Sequence, residues 1–265
     1  MLYKMVKSKN CLNLILLLTT LVIISGCHSG YEEKDGQVYH KWIHGGNWTK
    51  EYSLMEKADA ETFRTIKHDL NIDLGKDKNY VFKDASILEN ADPNSFEQVA
   101  EYYWKDKNYV FLLQFGETNC IIKNAEPKSF KIISEYLWSR DNEHVFYKFD
   151  LLDNVKAKDF QAINEDWGKT KLHYYYHNLR IDSLDYETAE IVNTYFMDES
   201  PKQSNYIKDK DNVFFQNLLV KDANPKTFVA DGVGTFGHDD KYMFDWEKNE
   251  GIITEQYRKT YIDKK

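Results

Sequence analysis

His40-Lys-Trp-Ile-His44 and His173-Tyr-Tyr-Tyr-His177 each set two imidazoles four residues apart. On a helix that spacing puts both rings on one face, and with an intervening Glu in the HExxH order it holds zinc. Neither stretch has that Glu, and both read as strands. In a strand, positions i and i+4 share a face but stand about 13 Å apart along it, too far to share one ion. Asp209-Lys-Asp-Asn212 opens like a calcium loop, yet no Gly follows at the sixth position and no Glu at the twelfth. The glycines of 232–237 do not form a GxGxxG turn between strand and helix. Cys120 lies beside Ile121 and Ile122, with no His or Asn nearby to activate it, so it reads as a small buried hydrophobe. No GxSxG motif and no local Ser/His/Asp grouping occurs. The expectation is no catalytic residue, no metal site and no cofactor.

The tryptophans are the other candidates, as stacking platforms for sugars or peptides. Trp104 and Trp138 occupy similar places before an Asp-led turn, which favours a role in the core. Trp42 and Trp48 fall in a stretch that lengthens the first repeat and are the candidate ligand-binding residues.

Five aspartates recur in register. Asp77, Asp106, Asp141, Asp209 and Asp239 each stand five residues before the aromatic of an apolar pair: Val81-Phe82, Val110-Phe111, Val145-Phe146, Val213-Phe214 and Met243-Phe244. Weaker copies are Val38-Tyr39 and Tyr174-Tyr175. Asp followed by Lys-Asn between aromatic-rich segments describes a turn between two strands, with the carboxylate accepting turn N–H groups. Recurrence at successive positions argues for a structural turn residue. A second landmark follows each pair: ADPNSF at 91–96, AEPKSF at 125–130 and looser copies after them. Asp92 before Pro93 suggests a helix start. Phe96, Val99, Ala100 and Tyr103 then share a helical face, as do Phe130, Ile133 and Leu137. The pattern predicts an α+β, β-rich fold: a tandem array of about six β-hairpin plus short-helix units stacked side by side. A unit of roughly 30 residues cannot bury both sides of its hairpin alone, and stacking supplies the missing core.

DKNYVF at 77–82 and 106–111, with ADPNSF and AEPKSF, resembles the DKNYY repeat family of bacterial proteins. The resemblance covers roughly residues 34–248. It implies no established activity and no catalytic residues. The fifth copy, TKLHYYYHN, keeps the spacing but loses the Asp and Asn of the turn.

The first 26 residues combine Lys4, Lys7 and Lys9 with an apolar run from Leu14 to Ile24. That run is too short to span a bilayer, which takes about 20 residues, and it reads as a secretory signal. The ending IISGC resembles the lipobox of bacterial lipoproteins, which implies cleavage before Cys27 and acylation of Cys27. The expected organisation is a lipoprotein signal peptide over 1–26, a short tether over 27–33 and a DKNYY-type repeat domain over 34–265. With Cys11 removed and Cys27 acylated, only Cys120 remains, so no internal disulfide is expected. His28 follows the acylated position where an Asp would retain the protein at an inner membrane, so an outer membrane is favoured.

The signal holds three of the 35 basic residues and none of the 43 acidic ones, so the body carries −11 where the whole chain carries −8. An acidic body without a basic stripe argues against nucleic acid as a partner. The expected protein is a lipid-anchored cell-envelope repeat protein that offers a binding or scaffold surface and is not an enzyme. Its expected partners are the membrane, through the lipid, and a protein or polysaccharide of the envelope. Two alternatives are an envelope polysaccharide-binding or hydrolysing protein using aromatic and carboxylate residues, and an acidic body that neutralises a basic toxin.

Overall fold

Four of the apolar pairs sit in short strands that are buried on both faces. Val81–Lys83, Val110–Leu112, Val145–Tyr147 and Val213–Phe215 are three-residue strands with every residue buried. Alternation along the strand explains why neighbouring positions must both be apolar. Phe214 belongs to one core cluster with Trp167, Tyr176 and Ile207, while Val213 and Phe215 belong to another with Tyr206, Phe228 and Phe244.

The protein is described by a computed structural model over residues 29–43, 49–68, 72–114, 116–134, 137–195 and 201–263. It is β-rich and built of seven small open antiparallel sheets, in each of which the strands neighbour one another in chain order. The first sheet holds Gly30–Lys34, Gln37–Ile43 and Lys50–Leu54. The second holds Arg64–His68, Asp73–Lys76, Val81–Lys83 and Ser86–Ile87. The third holds Glu97–Gln98, Tyr103–Lys105 and Val110–Leu112. The fourth holds Lys131–Ser134, Trp138–Arg140, Val145–Tyr147 and Asp150–Leu151. The fifth holds Gln161–Ala162, Trp167–Lys169, Tyr174–Tyr176 and Leu179–Arg180. The sixth holds Glu190–Tyr195, Pro201–Lys208, Val213–Phe215 and Leu218–Leu219. The seventh holds Val229–Asp231, Phe236–His238, Tyr242–Asp245 and Lys248–Ile252. The chain divides into two compact units at Ile121/Ile122. The first unit contains sheets one to three and the second contains sheets four to seven.

Within each unit the core lies between consecutive sheets. In the first, Val38, Met55 and Phe82 join the first sheet to the second, and Leu74, Val81, Phe96, Trp104 and Phe111 join the second to the third. In the second, Trp138, Val145, Phe160 and Tyr175 join the fourth to the fifth. Buried polar tips reinforce these joints, as expected for Trp and Tyr whose N–H or O–H is taken from water. Trp138 Nε1 donates to the Asn164 carbonyl at 2.9 Å, Trp167 Nε1 to the Ser204 carbonyl at 3.0 Å, and the Tyr206 hydroxyl to the Trp246 carbonyl at 2.8 Å.

The predicted short helix after each hairpin is not formed, apart from the three-residue 3-10 turn Ala157–Asp159. Asp92–Ser95 makes a single turn, Ser95 N–H to the Asp92 carbonyl at 3.3 Å, and the chain then enters the strand Glu97–Gln98. The same change occurs at Lys131–Ser134 and Glu190–Tyr195. The Asp92 N–H is already held by Asp106, and the Phe96 ring is turned into the core against Trp104 at 5.0 Å and Phe111 at 5.6 Å. The β-branched residues that follow, Ile132-Ile133 and Ile191-Val192, then favour the strand. Among the described residues, helical turns are the 3-10 segment Ala157–Asp159 and the segments Glu255–Tyr257 and Arg258–Ile262 near the chain end. The unit boundary moves accordingly. The turn of the second landmark opens the following sheet, and its aromatic packs on that sheet's own pair: Phe63 on Phe82, Phe130 on Phe146, Phe160 on Tyr175 and Phe228 on Phe244, at 5.7 to 6.3 Å.

Space for that ring comes from the strand before the Asp-led turn. A Cβ at Gly75, Gly168 or Gly237 would collide with the ring of Phe63, Phe160 or Phe228. All three glycines pair across the sheet with the aromatic of the apolar pair. In the sixth sheet the same position is Ile207, opposite Phe214, and the opening turn there carries Ala189 in place of the phenylalanine.

Candidate functional site

The five recurring aspartates are 3 to 5% exposed. In Asp106, Oδ1 accepts the N–H groups of Asn108 and Tyr109, both at 2.7 Å, and Oδ2 accepts the Asp92 N–H at 2.8 Å. Asp77 holds Asn79, Tyr80 and Asp59 in the same way. Asp141 holds Glu143, His144 and Glu126. Asp209 holds Asp211, Asn212 and Asp185, and Asp239 holds Lys241, Tyr242 and Asn224. Each carboxylate thus ties its own turn to the turn that opens the sheet. A Ser or Thr completes the joint: the Lys107 N–H donates to Ser95 Oγ at 3.1 Å, and the Lys210 N–H to Thr188 Oγ1 at 3.2 Å. Lys78–Asp59, Lys107–Asp92 and Lys210–Asp185 then pair across it at 2.7 to 3.0 Å. In the seventh sheet the charges are replaced together: Asp240 stands for the lysine, Asn224 for the acid, and Asn224 Nδ2 donates to Asp240 at 3.1 Å.

Of the other sequence candidates, Cys27, Trp48 and His44 lie outside the described residues. Trp42 is 37% exposed on the middle strand of the first sheet. Trp104 and Trp138 are in the core at 5% and 0% exposure. Cys120 is buried, and burial pushes its thiol above the usual range while Lys83 pulls the other way. No helix among the described residues is long and apolar enough to cross a membrane.

The third sheet departs from the pattern. The others from the second on turn from third to fourth strand in a short hairpin, whereas here the chain runs through residues 113–119 before Ile121 bridges back to Phe111. Lys83, itself 9% exposed, anchors this loop by donating to the carbonyls of Gln114 at 2.7 Å and Glu117 at 2.6 Å. The loop and the segment 83–90 enclose a cleft of about 640 Å³ lined by Asp84, Glu89, Asn90, Glu117, Thr118 and Cys120 among others. A broader cleft of about 960 Å³ shares the segment 86–90 and is also lined by Lys57, Tyr80, Lys107 and Asn108.

Sequence spacing did not bring together His40, Asp73 and Asp84, of which the first two come from different strands and the third from the turn after Val81–Lys83. His40 Nε2 lies 2.9 Å from Asp73 Oδ2, with the two residues 4% and 1% exposed. Asp84 Oδ1 accepts the Asp73 N–H at 3.0 Å, and the Asp73 carbonyl accepts the Tyr31 hydroxyl at 2.8 Å. Burial, with the two carboxylates, pushes the Tyr31 hydroxyl far above the usual range, so it stays a neutral donor. His177 and His238 pair with Asp166 and Asp231. Asp231 also takes the Tyr257 hydroxyl at 3.0 Å, which ties down the final helical segment. No sequence signal marks these pairs, because each joins residues set together only by strand register.

A family model described as the DKNYY family matches residues 31–179 and, in a second match, 167–264. No curated protein and no solved structure matches the chain.

Proposed function

The chain belongs to the DKNYY family, and from that premise we propose that it is a cell-envelope lipoprotein whose body is a tandem array of sheets serving as a binding or scaffold surface without catalysis. The first 26 residues direct export, acyl chains on Cys27 hold the protein on a membrane, and an outer membrane is the favoured site. Acyl chains anchor by burying methylenes, at about 0.8 kcal/mol each. The body needs no membrane-crossing helix of its own.

One observation carries the binding reading. The recurring carboxylates are engaged by backbone N–H groups, whereas the third sheet spends extra chain on a loop whose product is a cleft. Loops held by a rigid scaffold are where binding residues concentrate. The occupant is a protein or polysaccharide of the envelope. Tyr80, 38% exposed in the broader cleft beside Lys57 and Lys107, favours the polysaccharide over the protein.

The test is a crosslinking capture from intact cells, comparing the wild type with Cys27→Ser and with Tyr80→Ala. Capture of one partner by the wild type, lost in Cys27→Ser and weakened in Tyr80→Ala, is the expected result. Membrane fractionation unchanged by Cys27→Ser would end the anchor reading. Capture indifferent to Tyr80→Ala would remove the cleft from it.

A further inference from the structure

We propose that His40, Asp73 and Asp84 form a binding site for a divalent transition-metal ion, zinc being the ion that best fits one imidazole and two carboxylates. One potential ligand atom from each of the three lies within 4.8 Å of the others. His40 comes from the first sheet, and Asp73 and Asp84 come from the second. The ligand set therefore closes only when the two sheets pack.

The other sheets supply the control. In the second and fourth to seventh sheets, the residue just past the third strand donates its N–H to a carbonyl at or just before the start of the second strand, or, in the sixth sheet, within it. Those pairs are Lys148 with Leu137, His177 with Asp166, Gln216 with Asn205, and Trp246 with Thr235, at 2.7 to 2.9 Å. The third sheet uses Leu113 and Tyr102. None of these sets two like charges together. In the second sheet the pair is Asp84 and Asp73, two carboxylates at a place where the fold accepts leucine, asparagine or threonine. Like charges at facing positions repel, and the cost grows with burial. A divalent ion converts that repulsion into ligation, and His40, turned onto Asp73 from the neighbouring sheet, supplies the nitrogen donor.

The site is reachable. Asp84 also lines the cleft of about 640 Å³, so an ion enters from the cleft and keeps a water or ligand atom on that side. Asp84 sits at φ 53°, a conformation Asn adopts readily. Asp84→Asn therefore removes the charge while keeping the turn and an oxygen for the Asp73 N–H.

The inference is independent of what occupies the cleft. The experiment is calorimetric titration of Zn²⁺ into the full chain in detergent, after chelator treatment, for the wild type, Asp84→Asn, His40→Gln and the control Asp166→Asn. One ion per chain is expected, with affinity reduced at least tenfold in Asp84→Asn and His40→Gln and unchanged in Asp166→Asn. Far-UV circular dichroism confirms that each variant is folded. X-ray absorption of the zinc form is expected to show nitrogen and oxygen ligands only. A folded wild type that takes up no Zn²⁺, binding undiminished in Asp84→Asn, or sulfur from Cys120 in the ligand shell would each overturn the assignment.

Discussion

At the scale of the residue, the Asp-led turn is a polar joint in which one buried carboxylate accepts three backbone N–H groups in part-buried bonds. Removing such an acceptor leaves donors without partners, each costing about 1–3 kcal/mol. Asp106→Ala is therefore expected to lower stability by about 2–3 kcal/mol, the upper part of the usual range for a single substitution. Asp106→Asn should fall between, because its amide NH₂ would face the Asp92 N–H. Urea denaturation measures both, and a loss below about 1 kcal/mol for Asp106→Ala would refute the three-bond account. Asp141 contributes to the pH dependence. Burial alone would raise its carboxyl, but the N–H groups of His144, Glu126 and Glu143 outweigh burial and hold it below its ordinary 3.8. A lowered carboxyl contributes stability that is complete above the unfolded value and is lost as pH falls through the folded one. The urea midpoint of the wild type should thus drop below about pH 4, and its advantage over Asp141→Asn should shrink there. The aspartates and their turns were legible in the sequence because they recur at fixed spacing. The third hydrogen bond was not, since its donor lies 14 to 24 residues back along the chain.

At the scale of the element, glycine and phenylalanine exchange volume. Phe160 occupies the space a side chain at Gly168 would fill, and Ile207 with Ala189 is the same site with the volumes reversed. Gly168→Ala should cost about 1–3 kcal/mol by overpacking, and Phe160→Ala about 3–5 kcal/mol by leaving a cavity. The pair Gly168→Ile with Phe160→Ala is expected to recover more than half of the summed loss, as a double-mutant cycle reports. Additive losses would show that the two positions do not share one space. The helix read into 93–103 failed for a related reason. Phe96, Val99, Ala100 and Tyr103 carry a helical spacing, yet their burial is decided by separate partners: Phe96 under Trp104, and Tyr103 at the start of a strand facing Leu112. Period alone cannot separate a short amphipathic helix from a turn followed by a strand when the stretch is only one or two turns long.

At the scale of the whole molecule, β-rich architecture and family were legible because every sheet repeats the same apolar pair. The cleft and the His40–Asp73–Asp84 group were not, because they arise where repeats differ and where neighbouring sheets meet. Cys120 offers a reporter for the first compact unit. It is 3% exposed with its thiol pushed up by burial, so it should be silent to thiol reagents in the native protein. It should react only as urea opens the core it shares with Phe111 and Leu113. Fast labelling under native conditions would contradict that core.

The joint made by each recurring aspartate begins and ends within one sheet and its opening turn, while consecutive sheets within a unit share apolar surface and a few hydrogen bonds to main-chain carbonyls. A segment of about 30 residues copied in frame would bring its own turn acceptors with it and would ask of its new neighbour mainly a greasy face, which loose volume matching supplies, and main-chain carbonyls, which any sequence supplies. Genes for such chains are predisposed to lengthen and shorten by unequal recombination. The Ile207–Ala189 reversal of volumes in the sixth sheet and the long loop of the third show how far one copy can depart from the pattern while its aspartate joint stays closed.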